Sequence, residues 1–165
     1  MRWYLVYTKP RQERVALENL ERQGYPCYLP IFPSEKLRRG RLAVYDEPLF
    51  PRYLFIQLGL GESVKSWSPI RSTKGVSHLV TFGVEPAQVA DELIDQLRIQ
   101  ELTAQTEPER FFRPGEAVSL TEGPFAGIEG IFQIADGDQR AMVLIEILSK
   151  PVAVRAPSSS LRKLS

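Results

Sequence analysis

The stretch at 103–116, "TAQTEPERFFRPGE", most limits what this chain can become. Apolar periodicity stops there, and prolines and charges replace it, as in a linker between two folding units. The roughly one hundred residues before it can bury a real core, whereas the roughly fifty after it suit only a small barrel. This predicts a first domain over 1–102, a linker over 103–112 and a second domain over 113–165.

In the first part, "RWYLVYT" (2–8) reads as a strand buried on both faces. "PRQERVALENLERQGY" follows as a helix, with Pro10 suited to its first turn and Gly24 to its stop. Val15, Ala16 and Leu20 form its apolar stripe, while Asn19, Arg22 and Gln23 share another face. "PCYLPIF" (26–32) predicts a strand, and "EKLRRGRLAVYDE" (35–47) a basic hairpin turning at Gly40. A further strand is expected at Tyr53–Leu58, a Gly/Ser-rich loop at 59–72 and a strand at 75–83. "PAQVADELIDQLRIQEL" (86–102) places Val89, Leu93, Ile94 and Leu97 on one helix face and Asp91, Glu92 and Asp95 opposite. The sum is an α+β sandwich.

In 113–165, Gly123, Pro124, Gly127, Gly130 and Pro151 cut the chain into short Val/Ile/Leu runs, and Asp136-Gly137 is a hairpin turn signal. These features favour a five-stranded β-barrel. "DQRAMVLIEILSK" (138–150) is also compatible with a helix.

Hydrophobic content of 43% with 25% charge puts the chain among globular proteins rather than disordered ones. No apolar run approaches the ~18 residues of a membrane span, and the early charges do not suit a signal peptide. A lone Cys27 fits a reducing cytoplasm and excludes an internal disulfide. Together with a lone His78 it starves most metal sites, and no cofactor is expected. Cys27 and His78 as a nucleophile and base lack a third partner and an oxyanion motif, so we expect no enzyme. The net charge of +1 hides an asymmetry: residues 1–41 carry a surplus of five positive charges and 101–165 a surplus of two negative ones. A polyanion suits the first.

"DEPLFPRYLFIQL" (46–58) sets aromatics beside two prolines, where burial is least assured. Leu49, Phe50, Pro51, Tyr53 and Phe55, with Tyr7, Phe82 and Leu97, read either as core or as an apolar docking patch. Lys9, Asn19, Arg22, Gln23, Arg39, Thr73 and Lys74 read either as a solvated face or as basic and amide groups that hold phosphates and read base edges. Lys36, Arg38 and Arg41 suit unspecific phosphate attraction.

"WYLVYTKPRQE", "EPLFPRYLFI", "RSTKGVSHLVTFG" and "RPGEAVSLTEGPFAGIEGIF" together resemble the bacterial NusG-like transcription elongation factors over essentially the whole chain. "LRRGR" before "EPLFPRYLFI", with "DGDQRAMVLIEIL", is similar to the specialised RfaH branch of that family. The resemblance implies an NGN-type N-terminal domain that docks on the RNA polymerase β′ clamp helices through Tyr7, Phe50, Pro51, Tyr53, Phe82 and Leu97. It implies a C-terminal KOW domain that contacts ribosomal protein S10 or, in general NusG proteins, Rho. The RfaH branch adds recognition of non-template DNA, here by Lys9, Asn19, Arg22, Gln23, Arg39, Thr73 and Lys74, with Asn19 standing where that branch carries a His. It also adds a resting α-helical hairpin of the C-terminal domain, held over the polymerase site by a Glu47–Arg140 ion pair. Ile94, Phe125, Ile128, Leu144 and Ile147 would then line the interdomain contact. "KSWSP" (65–69) replaces the polar run by which that branch touches the polymerase β gate loop. A monomer is expected.

Overall fold

The computed structural model describes residues 2–59, 67–106 and 128–149. Strand β1 (Arg2–Thr8) is central in an antiparallel sheet. It pairs on one side with β5 (Tyr53–Leu58), which carries the short β2 (Cys27–Tyr28) at its outer edge. On its other side lie β6 (Val76–Leu79) and β9 (Gln88–Val89). The register sets Leu5 opposite Phe55, Val6 opposite Leu54 and Tyr7 opposite Tyr53.

That register explains the unbroken apolar run of β1, because strand side chains alternate and both faces are covered. Tyr4, Val6, Leu54 and Ile56 meet Ala16 and Leu20 of helix α1 (Glu13–Arg22). Trp3, Leu5 and Phe55 meet Leu93, Ile94 and Leu97 of helix α3 (Asp91–Thr106). Gly24, at φ +95°, stops α1, which starts three residues after Pro10.

The hairpin is longer than predicted: β3 (Ile31–Arg38) pairs with β4 (Arg41–Pro48) along their full lengths. Arg39 and Gly40, at φ +53° and +76°, form the two-residue turn whose twist suits a hairpin. The strand predicted over 26–32 is broken at Leu29-Pro30. The one predicted over 75–83 is also broken, with β7 (Thr81–Phe82) turning into a separate small hairpin with β8 (Glu85–Pro86). Residues 86–89, predicted as helical, are extended because Val89 and Gln88 pair with Trp3 and Tyr4. Helix α3 therefore starts at Asp91, and it runs through Thr106, into the segment predicted as linker. Within the loop predicted at 59–72, Trp67–Arg71 form a short helix, α2.

The described part of the second region is helical, not stranded. Helix α4 (Ile128–Ile131) and helix α5 (Gly137–Ser149) replace the predicted barrel strands there. Asp136-Gly137 is a helix start rather than a hairpin turn, since the Asp136 carbonyl accepts from Arg140 N at 3.1 Å. Of the residues expected to cut this region into strands, Gly130 lies inside α4, and Gly123, Pro124, Gly127 and Pro151 lie outside the described residues. Inside α5, Arg140, Ala141 and Leu144 recur at helical spacing and are buried, as Ile128, Ile131 and Phe132 are, against the α3 face of the sheet. Tertiary burial outweighs the weak strand preference of Val and Ile.

Candidate docking surface and nucleic-acid interface

The sequence "LFPRY" (49–53) folds as a tight turn at the mouth of the core. The Leu49 amide donates to the Pro30 carbonyl (2.8 Å), and the Tyr53 amide to the Phe50 carbonyl (3.0 Å). Pro51 presets the first central position, while Arg52 sits at φ +74° where glycine is usual. A left-handed non-glycine residue costs about 1–3 kcal/mol. Three contacts offset it. Buried Glu13 accepts from Arg52 N (2.9 Å), Arg52 Nε donates to the Thr8 carbonyl (3.0 Å), and its guanidinium carbon lies 4.1 Å from the Tyr7 ring centre.

The six residues of the expected polymerase patch divide. Phe50 and Leu97 are completely buried, in one cluster with Ile94, Ile128, Ile131, Phe132 and Leu144. Tyr7 and Tyr53 are half-buried against that cluster, their ring centres 5.1 Å apart, and the His78 ring lies 5.1 Å from Tyr7 on the other side. Burial raises the Tyr53 phenol pKa, with Tyr7 adding to the rise and Arg52 opposing it. Pro51 backs onto Gly137 of α5. Phe82 is exposed in the β7–β8 hairpin, outside the cluster. The core reading holds for Phe55, which is fully buried edge-on to Phe50.

Arg140 seats α5. It is completely buried. Its Nε donates to the Leu49 carbonyl (2.7 Å), and its Nη1 to the Ile134 and Ala135 carbonyls (2.8 and 2.9 Å). Its Nη2 lies 3.4 Å from Glu47 Oε1, and its guanidinium carbon is 3.9 Å from the Phe32 ring centre. Burial lowers the guanidinium pKa, and Glu47 and Asp136 oppose that shift. Glu47 also pairs with Lys36 across the hairpin at 3.1 Å. Ile147 packs against the same cluster, and Phe125 lies outside the described residues.

Four of the expected DNA residues, Asn19, Arg22, Gln23 and Thr73, form a network on the far side of the sheet. Asn19 Nδ2 donates to the Val15 carbonyl (2.7 Å), Arg22 Nη1 to Asn19 Oδ1 (3.5 Å) and Gln23 Nε2 to Thr73 Oγ1 (2.7 Å). Lys9 joins the loop beside Lys74, its amide donating to the Gly75 carbonyl (2.9 Å). Gly75 is at φ +90°, and a Cβ there would stand 2.7 Å from Ala16 N, so only glycine lets this loop touch α1. Thr73 is buried and gives its proton to the Pro69 carbonyl (2.7 Å), which makes it a strut for Gln23 rather than an exposed contact. Arg39 sits at the β3–β4 turn and is not in this network. It belongs instead to a ribbon end with Lys36, Arg38 and Arg41, where the Arg38 guanidinium carbon lies 4.4 Å from the Tyr45 ring centre.

Cys27 and His78 occupy opposite edges of the sheet order β2-β5-β1-β6. Three strand spacings, about 14 Å across the sheet alone, lie between them. Burial pushes the Cys27 thiol pKa up to about 12, the opposite of an activated nucleophile. Among the described residues no group of His, Cys, Asp and Glu could hold a metal, and no helix is long and apolar enough to cross a membrane. Of "KSWSP", residues 65–66 lie outside the described residues. Sequence reading missed Glu13, Arg52, Ile131 and Phe132. Pro51 two residues before Tyr53 signalled the turn, and the Ile128/Ile131/Phe132 spacing signalled α4.

The family model described as "NusG: Transcription termination factor nusG" matches residues 1–98. The chain belongs to the NusG family. Similar proteins called "Transcription termination/antitermination protein NusG" include one from Thermus thermophilus, 29% identical, covering 98% of this chain and 97% of the relative. Another from Escherichia coli is 25% identical over 98% and 96%, and one from Rickettsia bellii 22% over 98% and 90%. A solved structure described as "Domain interaction in Thermotoga maritima NusG" is similar at TM-score 0.43 and 23% identity, over 74% of this chain and 67% of that one. NusG proteins are transcription termination and antitermination factors rather than enzymes, and the mixed α/β fold of residues 1–98 is the NusG N-terminal fold.

Proposed function

We propose that this NusG-family chain is an RfaH-type antitermination and elongation factor. Its N-terminal domain grips the RNA polymerase β′ clamp helices through the surface around Tyr7, Phe50, Pro51, Tyr53 and Leu97, and it suppresses pausing. In the closed chain, α4 and α5 occupy that surface, with Arg140 as their anchor. Non-template DNA is held by Lys9, Asn19, Arg22, Gln23 and Lys74, while Arg39 and its basic neighbours on the ribbon attract duplex phosphates. Thr73 acts here through Gln23. Once released, the C-terminal domain refolds as a KOW barrel and recruits ribosomal protein S10, coupling transcription to translation.

The observation that carries this reading is that Phe50, Ile94 and Leu97 share one buried cluster with Ile128, Phe132 and Leu144. An apolar face that is covered by a separate segment, through a seat centred on one arginine, suits a docking surface that is masked at rest. The test compares full-length wild type with Arg140→Ala for binding to the clamp helices. Tighter binding by the variant supports masking, and equal binding defeats it. Pause suppression on templates with and without candidate DNA elements tests recruitment.

A second reading is a general NusG that works with Rho, favoured by full-length alignment to proteins called NusG. Capture of Rho by the full chain, with no dependence on a DNA element, would select it. A ribosome-associated KOW protein that ignores polymerase would fail a polymerase pull-down.

A further inference from the structure

Glu13 opens α1, yet it is only 7% exposed, and its carboxylate faces the backbone of a turn 39 residues away. A buried carboxylate spent on one main-chain amide needs a reason. The reason lies in Arg52. At φ +74° this residue is held against its own preference, and its amide points at Glu13. The turn it closes carries Phe50, Pro51 and Tyr53, the Pro51 ring meets Gly137, and the Leu49 carbonyl meets Arg140.

We infer that Glu13 is a positioning residue for the docking surface. Its carboxylate pins the Arg52 amide and so fixes the left-handed turn that presents Phe50, Pro51 and Tyr53. The Arg52 side chain completes the clamp: it reaches the Thr8 carbonyl and lies over Tyr7, so the two half-buried tyrosines are held by the same turn. Because α1 also bears Asn19, Arg22 and Gln23, one helix sets both the nucleic-acid network and the protein-docking turn. The inference rests on the polymerase-docking reading for its consequence, but the pinning itself does not.

The test uses the full chain as wild type, Glu13→Ala, Glu13→Gln, Arg52→Gly and Glu13→Ala/Arg52→Gly. Amide hydrogen exchange at Arg52 and Tyr53 is read beside polymerase binding. Glu13→Ala should raise exchange at both amides more than tenfold, leave Leu5 and Phe55 protected, and weaken polymerase binding about fivefold or more. Glu13→Gln keeps an acceptor oxygen and should stay near wild type. Glycine accepts the turn unaided, so the double variant should match Arg52→Gly alone, within about twofold, in Tyr53 protection and in binding. Unchanged Tyr53 exchange in Glu13→Ala, or a loss that glycine at 52 does not rescue, overturns the assignment. If the wild type ignores polymerase while the exchange pattern and its rescue hold, Glu13 keeps its role and the docking reading falls instead.

Discussion

Gly137 stands flat against Pro51: a Cβ built on Gly137 would lie 2.6 Å from Pro51 Cγ and 3.0 Å from its Cδ. The first residue of α5 is thus seated on the first central residue of the Phe50–Tyr53 turn. A proline ring cannot swing aside, because its torsions are tied to the backbone.

This contact predicts an outcome in which helix propensity and docking separate. Gly137→Ala should favour the isolated helix slightly, since alanine beats glycine by at most about 1 kcal/mol and less at a first helical position. The docked state should nevertheless weaken by about 1–3 kcal/mol through overpacking against Pro51. Circular dichroism of an α5 peptide and inter-segment NMR contacts in the full chain should move in opposite directions.

Arg140 and Glu47 are unequal partners. Three backbone carbonyls hold Arg140 at 2.7–2.9 Å, whereas Glu47 lies at 3.4 Å, is partly exposed and is shared with Lys36. Arg140→Ala strips those carbonyls of their donor and removes a buried charge, which should cost the closed state about 3 kcal/mol or more. Glu47→Ala should cost only about 1 kcal/mol. Denaturant unfolding of both variants checks the order, and equal losses would show the ion pair to be the real anchor.

Legibility in the sequence followed the physics of each element. β1 could be read because contiguous apolar side chains allow only a doubly covered strand, and β3–β4 because Gly40 marks its turn. α5 could be read only as one of two possibilities, since Val143, Leu144 and Ile145 serve either state and the choice is made by the surface that receives them. The burial of Arg140 was hidden for the same reason: an arginine reads as solvated until three carbonyls converge on it. Arg52 was hidden because its conformation is imposed from Glu13, far away in the chain. The proposed docking patch was half legible, since Phe50 and Leu97 are apolar enough to be core or interface and only the covering helices show what meets them.

Alkaline pH should destabilise the fold once it passes the ordinary thiol and phenol pKa values. Burial raises the Cys27 thiol to about 12 from 9.0, and burial with the hydrogen bond to Glu101 raises the Tyr28 phenol above its usual 10.0. Tyr53 shifts the same way. A raised folded pKa gives stability that is complete below the unfolded value and lost as pH climbs past it. Stability should therefore fall from about pH 9 upward. Cys27→Ser and Tyr28→Phe should flatten that slope, and Tyr28→Phe should cost about 1 kcal/mol at neutral pH through the lost hydrogen bond. Urea midpoints measured between pH 7 and 11 check both.

The network of Asn19, Arg22, Gln23 and Thr73 proposed to hold DNA depends on the close approach that Gly75 allows. A side chain there would be strained at φ +90° and would strike the backbone of Ala16. Gly75→Ala should cost about 3 kcal/mol and push α1 away from the loop that carries Thr73 and Lys74. Gln23 would then lose its 2.7 Å bond to Thr73, so the side chains proposed to face DNA bases would no longer share one geometry. Arg38→Ala, on the exposed ribbon, removes a charge without touching that geometry. It should leave the melting temperature unchanged and lower the salt dependence of DNA binding by about one unit of slope. Binding of single-stranded and duplex DNA at several salt concentrations, beside thermal melts, distinguishes the two. A Gly75→Ala chain that melts normally and binds DNA as wild type does would show that the close approach of loop and helix has no bearing on DNA.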